Sequence, residues 1–269
     1  VTHSDQPVAL ITGASEGIGA ALVEVFRKQG MRLALTALPA SYFHEQASPD
    51  CLAIAGDLTA DGFADELVDR VLDHFGRIDI LVNNAGVGLY APPSEAPLAL
   101  VRKLFELNLF APLRLAQLVT PAMRRQGSGV IVNMGSVGGG VSLPWAALYC
   151  ASKVALHAVS DSLRRELGGA GIHIMKVCPG IVATAFRDHV LAGKAPVKVV
   201  RIRRVVTAQQ VAEAVWTGIQ RRKRNVYVPW LSKVFIGVDF VAPRVMDWYC
   251  RRANSSLPQP DMDGNPKRI

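Results

Sequence analysis

The first thirty-odd residues of this chain leave little choice of fold. Val8-Ala9-Leu10-Ile11 is an apolar, strand-like run. It flows directly into Thr12-Gly13-Ala14-Ser15-Glu16-Gly17-Ile18-Gly19, and a helical pattern then continues to Gln29. Arg32-Leu33-Ala34-Leu35-Thr36-Ala37 reads as a second strand. Strand, glycine turn and helix in this order form a cradle for a dinucleotide. Backbone N–H groups and the helix N-terminus hold a pyrophosphate, and the glycines let it come close. The spacing is Gly-x-x-x-Gly-x-Gly rather than the commoner Gly-x-Gly-x-x-Gly. Taken alone, it is equally a tight structural turn.

A second stretch, residues 136–153, narrows the chemistry. Ser136 ends an apolar run. A glycine-rich segment and Pro144 follow, and a helical pattern begins near Ala146. On that helix Tyr149 and Lys153 are four residues apart and share a face. An ammonium held near a phenol favours the phenolate and lowers its pKa from about 10. A tyrosine tuned in this way exchanges a proton with an alcohol or carbonyl near neutral pH. Ser136 is placed to bond the same oxygen.

Together these stretches resemble the single-domain branch of the short-chain dehydrogenase/reductase family. Its patterns are Thr-Gly-x-x-x-Gly-x-Gly, Asn-Asn-Ala-Gly, and Ser followed by Tyr-x-x-x-Lys. They stand here as Thr12 to Gly19, as Asn83-Asn84-Ala85-Gly86, and as Ser136 with Tyr149 and Lys153. Asn108 lies in Leu107-Asn108-Leu109, and Pro179-Gly180 with Thr184 match the nicotinamide-contacting segment. The likeness spans residues 7–230. It implies an α/β, Rossmann-like, doubly wound sheet, mostly parallel, of about seven strands in the order 3-2-1-4-5-6-7 with helices on both faces.

The resemblance also implies site roles. Asn108, Ser136, Tyr149 and Lys153 form the catalytic set. Hydride passes between nicotinamide and carbon, Tyr149 handles the proton and Ser136 orients the oxygen. Lys153 supports Tyr149 and bonds ribose. Asn108 holds a water beside Lys153, or alternatively bonds one helix to another. Gly13, Ser15, Glu16, Gly17, Ile18 and Gly19 cradle the pyrophosphate. Asp57 and Leu58 border adenine, with Asp57 otherwise a cap for the next helix; Thr59 or Asp61 reads as a better cap. The small Ala85 and Gly86 leave room for ribose and Asn84 is a further cofactor residue, while Asn83 bonds backbone within the sheet. Pro179, Gly180, Val182 and Thr184 meet nicotinamide.

The cofactor discriminator is silent. Ala37 and Leu38 end the second strand, where an acid would select NAD and a base NADP. Glu16 disfavours the extra phosphate, and the missing acid favours it. The balance leans to NADP(H). Ser41 and Tyr42 reach the ribose phosphate or are simply solvated loop.

Substrate features are apolar. Leu89, Tyr90, Gly138, Leu143, Trp145 and Phe186 are the candidate substrate residues, beside Ser136 and Tyr149. Residues 185–207 correspond to a lid, with Val190, Leu191, Val197, Val199 and Val200. They point to a lipophilic carbonyl or alcohol, or else to packing against a neighbouring subunit. The alternatives are reduction of a 3-oxoacyl thioester and, outside enzymes, a cofactor-binding scaffold or redox sensor.

Composition bounds the rest. With 269 residues, 50% of them hydrophobic, the chain can bury one large core. Residues 1–252 are expected to form one domain, with a flap from about residue 229 and a disordered tail over 253–269. The four cysteines are widely spaced, without metal-ligand spacing, and read as reduced cytoplasmic thiols. No metal is expected. The start is short and polar, without a leader or anchor pattern. Residues 194–252 hold 13 Lys and Arg against three acids, a local balance of +10 beside +8 for the whole chain. No nucleic-acid motif accompanies them. A membrane-surface contact or a solvated flap edge does. Trp230, Leu231, Phe235, Ile236 and Phe240 fall at helical spacing and are expected on one face over the substrate mouth. A long helix over 96–125 and the helix over 147–168 match the family's subunit contacts, which implies a homodimer or homotetramer.

Overall fold

Val8, Ala9, Leu10 and Ile11 are each completely buried, so strand β1 (Val8–Thr12) has no face for water. A strand covered on both sides belongs at the middle of a parallel sheet. The computed structural model, which describes residues 6–39, 48–193 and 205–254, places it there. The chain continues through α1 (Gly17–Lys28), β2 (Arg32–Ala37), β3 (Cys51–Ala55), α2 (Phe63–Phe75) and β4 (Ile80–Asn83). Next come α3 (Leu98–Phe105), α4 (Ala111–Gln126), β5 (Gly129–Met134), α5 (Ala147–Leu167) and β6 (Ile172–Pro179). The remainder is β7 (Val182–Ala183), β8 (Val206–Thr207), α6 (Ala208–Gln220), β9 (Asn225–Val228), α7 (Ser232–Val241) and α8 (Pro243–Asn254).

Seven strands make one parallel sheet in the order β3-β2-β1-β4-β5-β6-β9. The expected doubly wound α/β topology is therefore present. The seventh place goes to β9, because β7 and β8 form a small ladder of their own. Alternation along each strand feeds two cores. Ala9 and Ile11 join α1 and α6 residues such as Phe26 and Val215. Val8 and Leu10 join α2 and α4 residues such as Leu67 and Val119. The strand order reverses between β1 and β4, and ligands bind beyond the strand ends at such a switch point.

Several local expectations change. The fourth strand starts at Ile80, not Arg77, because Asp79 is a corner. Its carboxylate accepts from the Arg77 guanidinium and from Val8 N. Helix 96–125 is three pieces, with a wide π turn (Glu106–Phe110) between α3 and α4. Neither Thr59 nor Asp61 caps α2; Gly62 does, at φ 78°. Asn83 does not bond backbone within the sheet. Its amide donates to Pro112 O on α4 and to Asn133 Oδ1 on β5. Ser41, Tyr42, Val197, Val199, Val200 and the tail beyond 254 lie outside the described residues.

Two polar links fix α5, which carries Tyr149 and Lys153. Asn133 Nδ2 donates to Ser160 Oγ at 2.8 Å, inside the core. Asp161 accepts from Lys176 on β6 at 2.7 Å, and also from Arg164 and Arg224. Burial alone would raise the Asp161 pKa, but these three cations hold it below the usual carboxylate range. Lys176 is only 7% exposed. Asp161→Asn leaves that ammonium buried without a counter-charge, a loss on the order of 3 kcal/mol. Urea unfolding at neutral pH measures it, and a change too small to resolve contradicts the linkage.

Candidate active site

The crevice between β1 and β4 is built by side chains that hold backbone. Thr12 Oγ1 accepts from Asn84 N and Ala85 N, both at 3.0 Å. Asn84 Nδ2 donates back to Thr12 O and Gly13 O, also at 3.0 Å. The Asn84 side-chain N–H donors are therefore spent on the glycine turn. Gly13 and Gly17 have φ of 62° and 56°, in the left-handed region that favours glycine. A Cβ on Gly19 would lie 1.9 Å from Gly13 O, so the turn closes only on glycine. A Cβ on Gly17 would touch the Thr184 methyl at 3.3 Å, which brings the turn and the segment after β6 face to face.

The other predicted cradle residues divide. Ser15 is half-buried and Glu16 exposed, with Glu16 Oε1 3.4 Å from His189 Nε2. Ile18, Leu58 and Val182 pack toward the cores. Asp57 Oδ1 accepts from Thr59 N and Oγ1, closing a local turn. Ala37 is buried at the end of β2. Pro179 ends β6, Gly180 N donates to Val228 O, and Thr184 Oγ1 accepts from Phe186 N.

Behind Gly86 the polar groups converge. A Cβ there would lie 3.1 Å from Asn108 Oδ1 and 3.5 Å from Lys153 Nζ. The π turn delivers Asn108, which is completely buried. Its Oδ1 accepts from Val87 N, and its Nδ2 donates to Val87 O and Ser152 Oγ. The helix-to-helix bond is thus realised, and the amide has become a clamp. Lys153 Nζ donates to Met134 O at 3.0 Å and lies 5.9 Å from the Tyr149 ring centre. Gly138 N donates to Ser136 Oγ.

The electrostatics reverse one expectation. Burial pushes the Tyr149 phenol well above its ordinary range, Tyr90 adds to this, and Ser136 only partly opposes it. Burial pulls Lys153 down to about 8. Desolvation thus outweighs the nearby ammonium at this phenol.

Around Tyr149 the wall is apolar. Tyr90 and Phe186 ring centres lie 6.2 and 6.1 Å from it. Leu143, Ala146, Cys150 and Val190 complete the cluster. Leu89 is fully buried but stands outside that cluster, as does Trp145 at φ 67°. The segment after β6 is zipped to the loop after β4. Leu191 N donates to Gly88 O, and Tyr90 N donates to Ala192 O.

The family profile described as short chain dehydrogenase matches residues 7–195. The chain belongs to this family. It is an oxidoreductase of the class acting on CH–OH and C=O groups. D-threitol dehydrogenase of Mycolicibacterium smegmatis is 38% identical over 67% of this chain and 72% of that protein. Ketoacyl reductase HetN of Nostoc sp. is 30% identical over 88% of this chain and 86% of its own length. A short-chain dehydrogenase of Sphingobium yanoikuyae, solved in complex with NADPH, has a TM-score of 0.74 at 28% identity. The match covers 94% of this chain and 97% of that one.

This dehydrogenase also uses residues that the sequence reading passed over. Thr12 holds the Asn84 loop, Ser152 receives Asn108, and Met134 O holds Lys153. His157, one turn beyond Lys153, is a fourth. Its ring lies against Gly135 and Gly139, where a Cβ would come within 2.1 and 2.4 Å of it. Only its spacing of i+4 from Lys153 signals it.

Burial first, then Lys176 and Lys153, pull His157 down to about 4, so it is folded as the neutral ring. An unfolded imidazole titrates near 6.5, so on acidification the unfolded chain binds this proton first. Stability is whole above about pH 6.5 and is lost progressively toward pH 4, by about 3 kcal/mol in all. His157→Gln should flatten that slope in urea midpoints measured across this window. A wild-type midpoint that stays level through it contradicts the assignment.

Proposed function

We propose that this dehydrogenase interconverts a carbonyl and an alcohol on a lipophilic substrate, using NAD(P)(H), with Tyr149 as general acid and base. One observation carries the reading. Tyr149, with Lys153 Nζ 5.9 Å from its ring centre, stands among Tyr90, Phe186, Leu143 and Val190. Such a wall suits hydrocarbon better than sugar.

The residues fit a dinucleotide. The glycine turn faces Thr184, and Gly86 keeps a hydrogen where a Cβ would crowd Asn108 and Lys153. Nicotinamide, when bound, supplies or accepts the hydride. This chain's own residues do the rest. The Ser136 hydroxyl orients the substrate oxygen. Tyr149 gives that oxygen a proton in reduction and removes one in oxidation. Lys153, titrating near the working pH, restores the Tyr149 proton. Asn108 is a positioning residue that clamps Val87 and Ser152 beside them.

NADP(H) is the preferred form in this reading, because β2 ends in Ala37 and Leu38 without a carboxylate. The domain is one catalytic unit, with α7–α8 as its flap. Phe110 and Val154, exposed at α4 and on α5, support a homodimer or homotetramer. Four buried free thiols support a reducing, cytoplasmic setting. A second reading, reduction of a 3-oxoacyl thioester, is favoured by the likeness to HetN.

Tyr149→Phe should lower kcat on the order of a thousandfold while cofactor affinity, read by fluorescence titration, stays within about twofold. Near-normal turnover sinks the mechanism. A panel of apolar ketones and 3-oxoacyl thioesters, with NADPH and NADH, separates the two substrate readings and the two cofactors.

The flap has its own test. Phe235 and Ile236 turn inward and pack with Val141, Leu143 and Met246, whereas Trp230, Leu231 and Phe240 turn to solvent, against the expectation of one shared face. Phe235→Ser should therefore raise KM severalfold for long apolar ketones and leave that for small ones unchanged. Equal effects on both make the inner face plain packing.

A further inference from the structure

Helix α7 is apolar on both sides. Its inner side is satisfied by the 141–143 loop and α8. Its outer side carries Leu231, Val234, Val238 and Val241, spaced i, i+3, i+7 and i+10, all exposed. Val241 is 80% exposed and the adjacent Phe240 88%. On α8, Val245 and Trp248 continue the patch, with Trp248 at 61%. Eight of the 13 exposed large hydrophobic residues described fall within 230–248. A helix apolar all round belongs under cover, and a concentrated exposed patch marks a contact surface.

The charges say what covers it. Arg251 and Arg252 follow Trp248 on α8, with the Arg252 guanidinium 5.8 Å from the Trp248 ring, and Arg244 stands beside Val245. At the other end of the patch a cleft of about 880 Å³ lies between α6, β9 and α7. It brings Lys223, Arg224 and Lys233 to Trp230, with Glu213 also on its wall, and contains none of Ser136, Tyr149 and Lys153. Residues 221–254 hold eight basic residues against two acids, Asp239 and Asp247. A second copy of the chain docked here would bring two basic rims together. An acidic, apolar-cored surface satisfies both halves of the patch at once.

We infer that the α7–α8 hairpin docks on an anionic lipid bilayer surface. Leu231, Val234, Val238, Val241, Val245 and Trp248 enter the acyl boundary, and the arginine and lysine rim meets the headgroups. The inner face of the same hairpin packs on Leu143, which also touches the cluster around Tyr149. Lipid surface and apolar site are thus separated by one layer of side chains. This last point rests on the lipophilic-substrate reading; the docking does not.

The test is flotation of the full chain with vesicles of phosphatidylcholine alone or mixed with phosphatidylglycerol, at low and high salt. Expected is binding to the mixed vesicles at least tenfold tighter than to the neutral ones, weakened by salt. Val241→Ser with Trp248→Ser should cut it at least tenfold, with turnover of a small soluble ketone unchanged. Arg244→Glu with Arg251→Glu, which leaves the apolar face intact, should do the same. Absence of binding to the mixed vesicles at low salt overturns the inference, as does binding that neither double variant alters. An oligomer that the Val241/Trp248 variant dissociates, without vesicle binding by the wild type, gives the face to a second copy instead. Saturable binding of an acidic carrier protein at Lys233, again without vesicle binding, gives it to that partner. If vesicles bind but no apolar ketone turns over, the substrate reading fails and the docking stands.

Discussion

The mutual grip of Thr12 and Asn84 is the contact on which the crevice depends. One hydroxyl accepts from two backbone N–H groups of the loop after β4, and one amide returns two bonds to carbonyls of the turn after β1. Both segments leave parallel strands at the point where the order reverses, so without a tie they would diverge. Tied, they hold Gly13, Gly19, Ala85 and Gly86 as a small-residue floor. A Cβ on Gly19 would collide with Gly13 O, and one on Gly13 or Gly86 would crowd Ala85 or Asn108. The floor is therefore a consequence of packing as much as of ligand shape.

Helix α5 is the second rigid element. Tyr149, Lys153, His157 and Asp161 descend it at intervals of four, one above another. The first is a phenol in apolar surroundings and the last a partly exposed carboxylate among three cations. Between them, burial keeps the imidazole neutral and loosens the ammonium's hold on its proton. The column shows why positions on one helix face titrate so differently. Each reports how many charges and how much water its own level contains.

The fold was legible in residues that answer to local physics. Val8 to Ile11 and Ile80 to Val82 have no polar face, the glycine turn has no alternative geometry, and Tyr149 and Lys153 must share a helix face. What escaped the sequence is what depends on depth. Asn108 interrupts an otherwise helical period, and the π turn that accommodates it leaves no pattern in hydrophobicity. Whether Asn84 holds a ligand or its own neighbour turns on a strand pairing seventy residues away. The direction of the Tyr149 shift was misread for the same reason: spacing shows which groups are close, not how little water surrounds them. Phe240 falls at the right interval for an inner face but belongs to a helix with two apolar faces, which spacing alone cannot rank.

The wide turn over Glu106–Phe110 also fixes the arithmetic of chain length. A π turn carries one residue more than an α turn, and a single residue is worth about 100° of rotation. Deleting any one residue there would let the helix relax into ordinary winding. Everything downstream would then turn by that angle, carrying the Leu115, Val119 and Met123 seam of α4 off the sheet, unless Asn108 gave up its bonds to Val87 and Ser152. This segment therefore tolerates exchanges of side chain far better than changes of length, and an alignment of related chains placing a gap within 106–110 would be describing a different active-site wall.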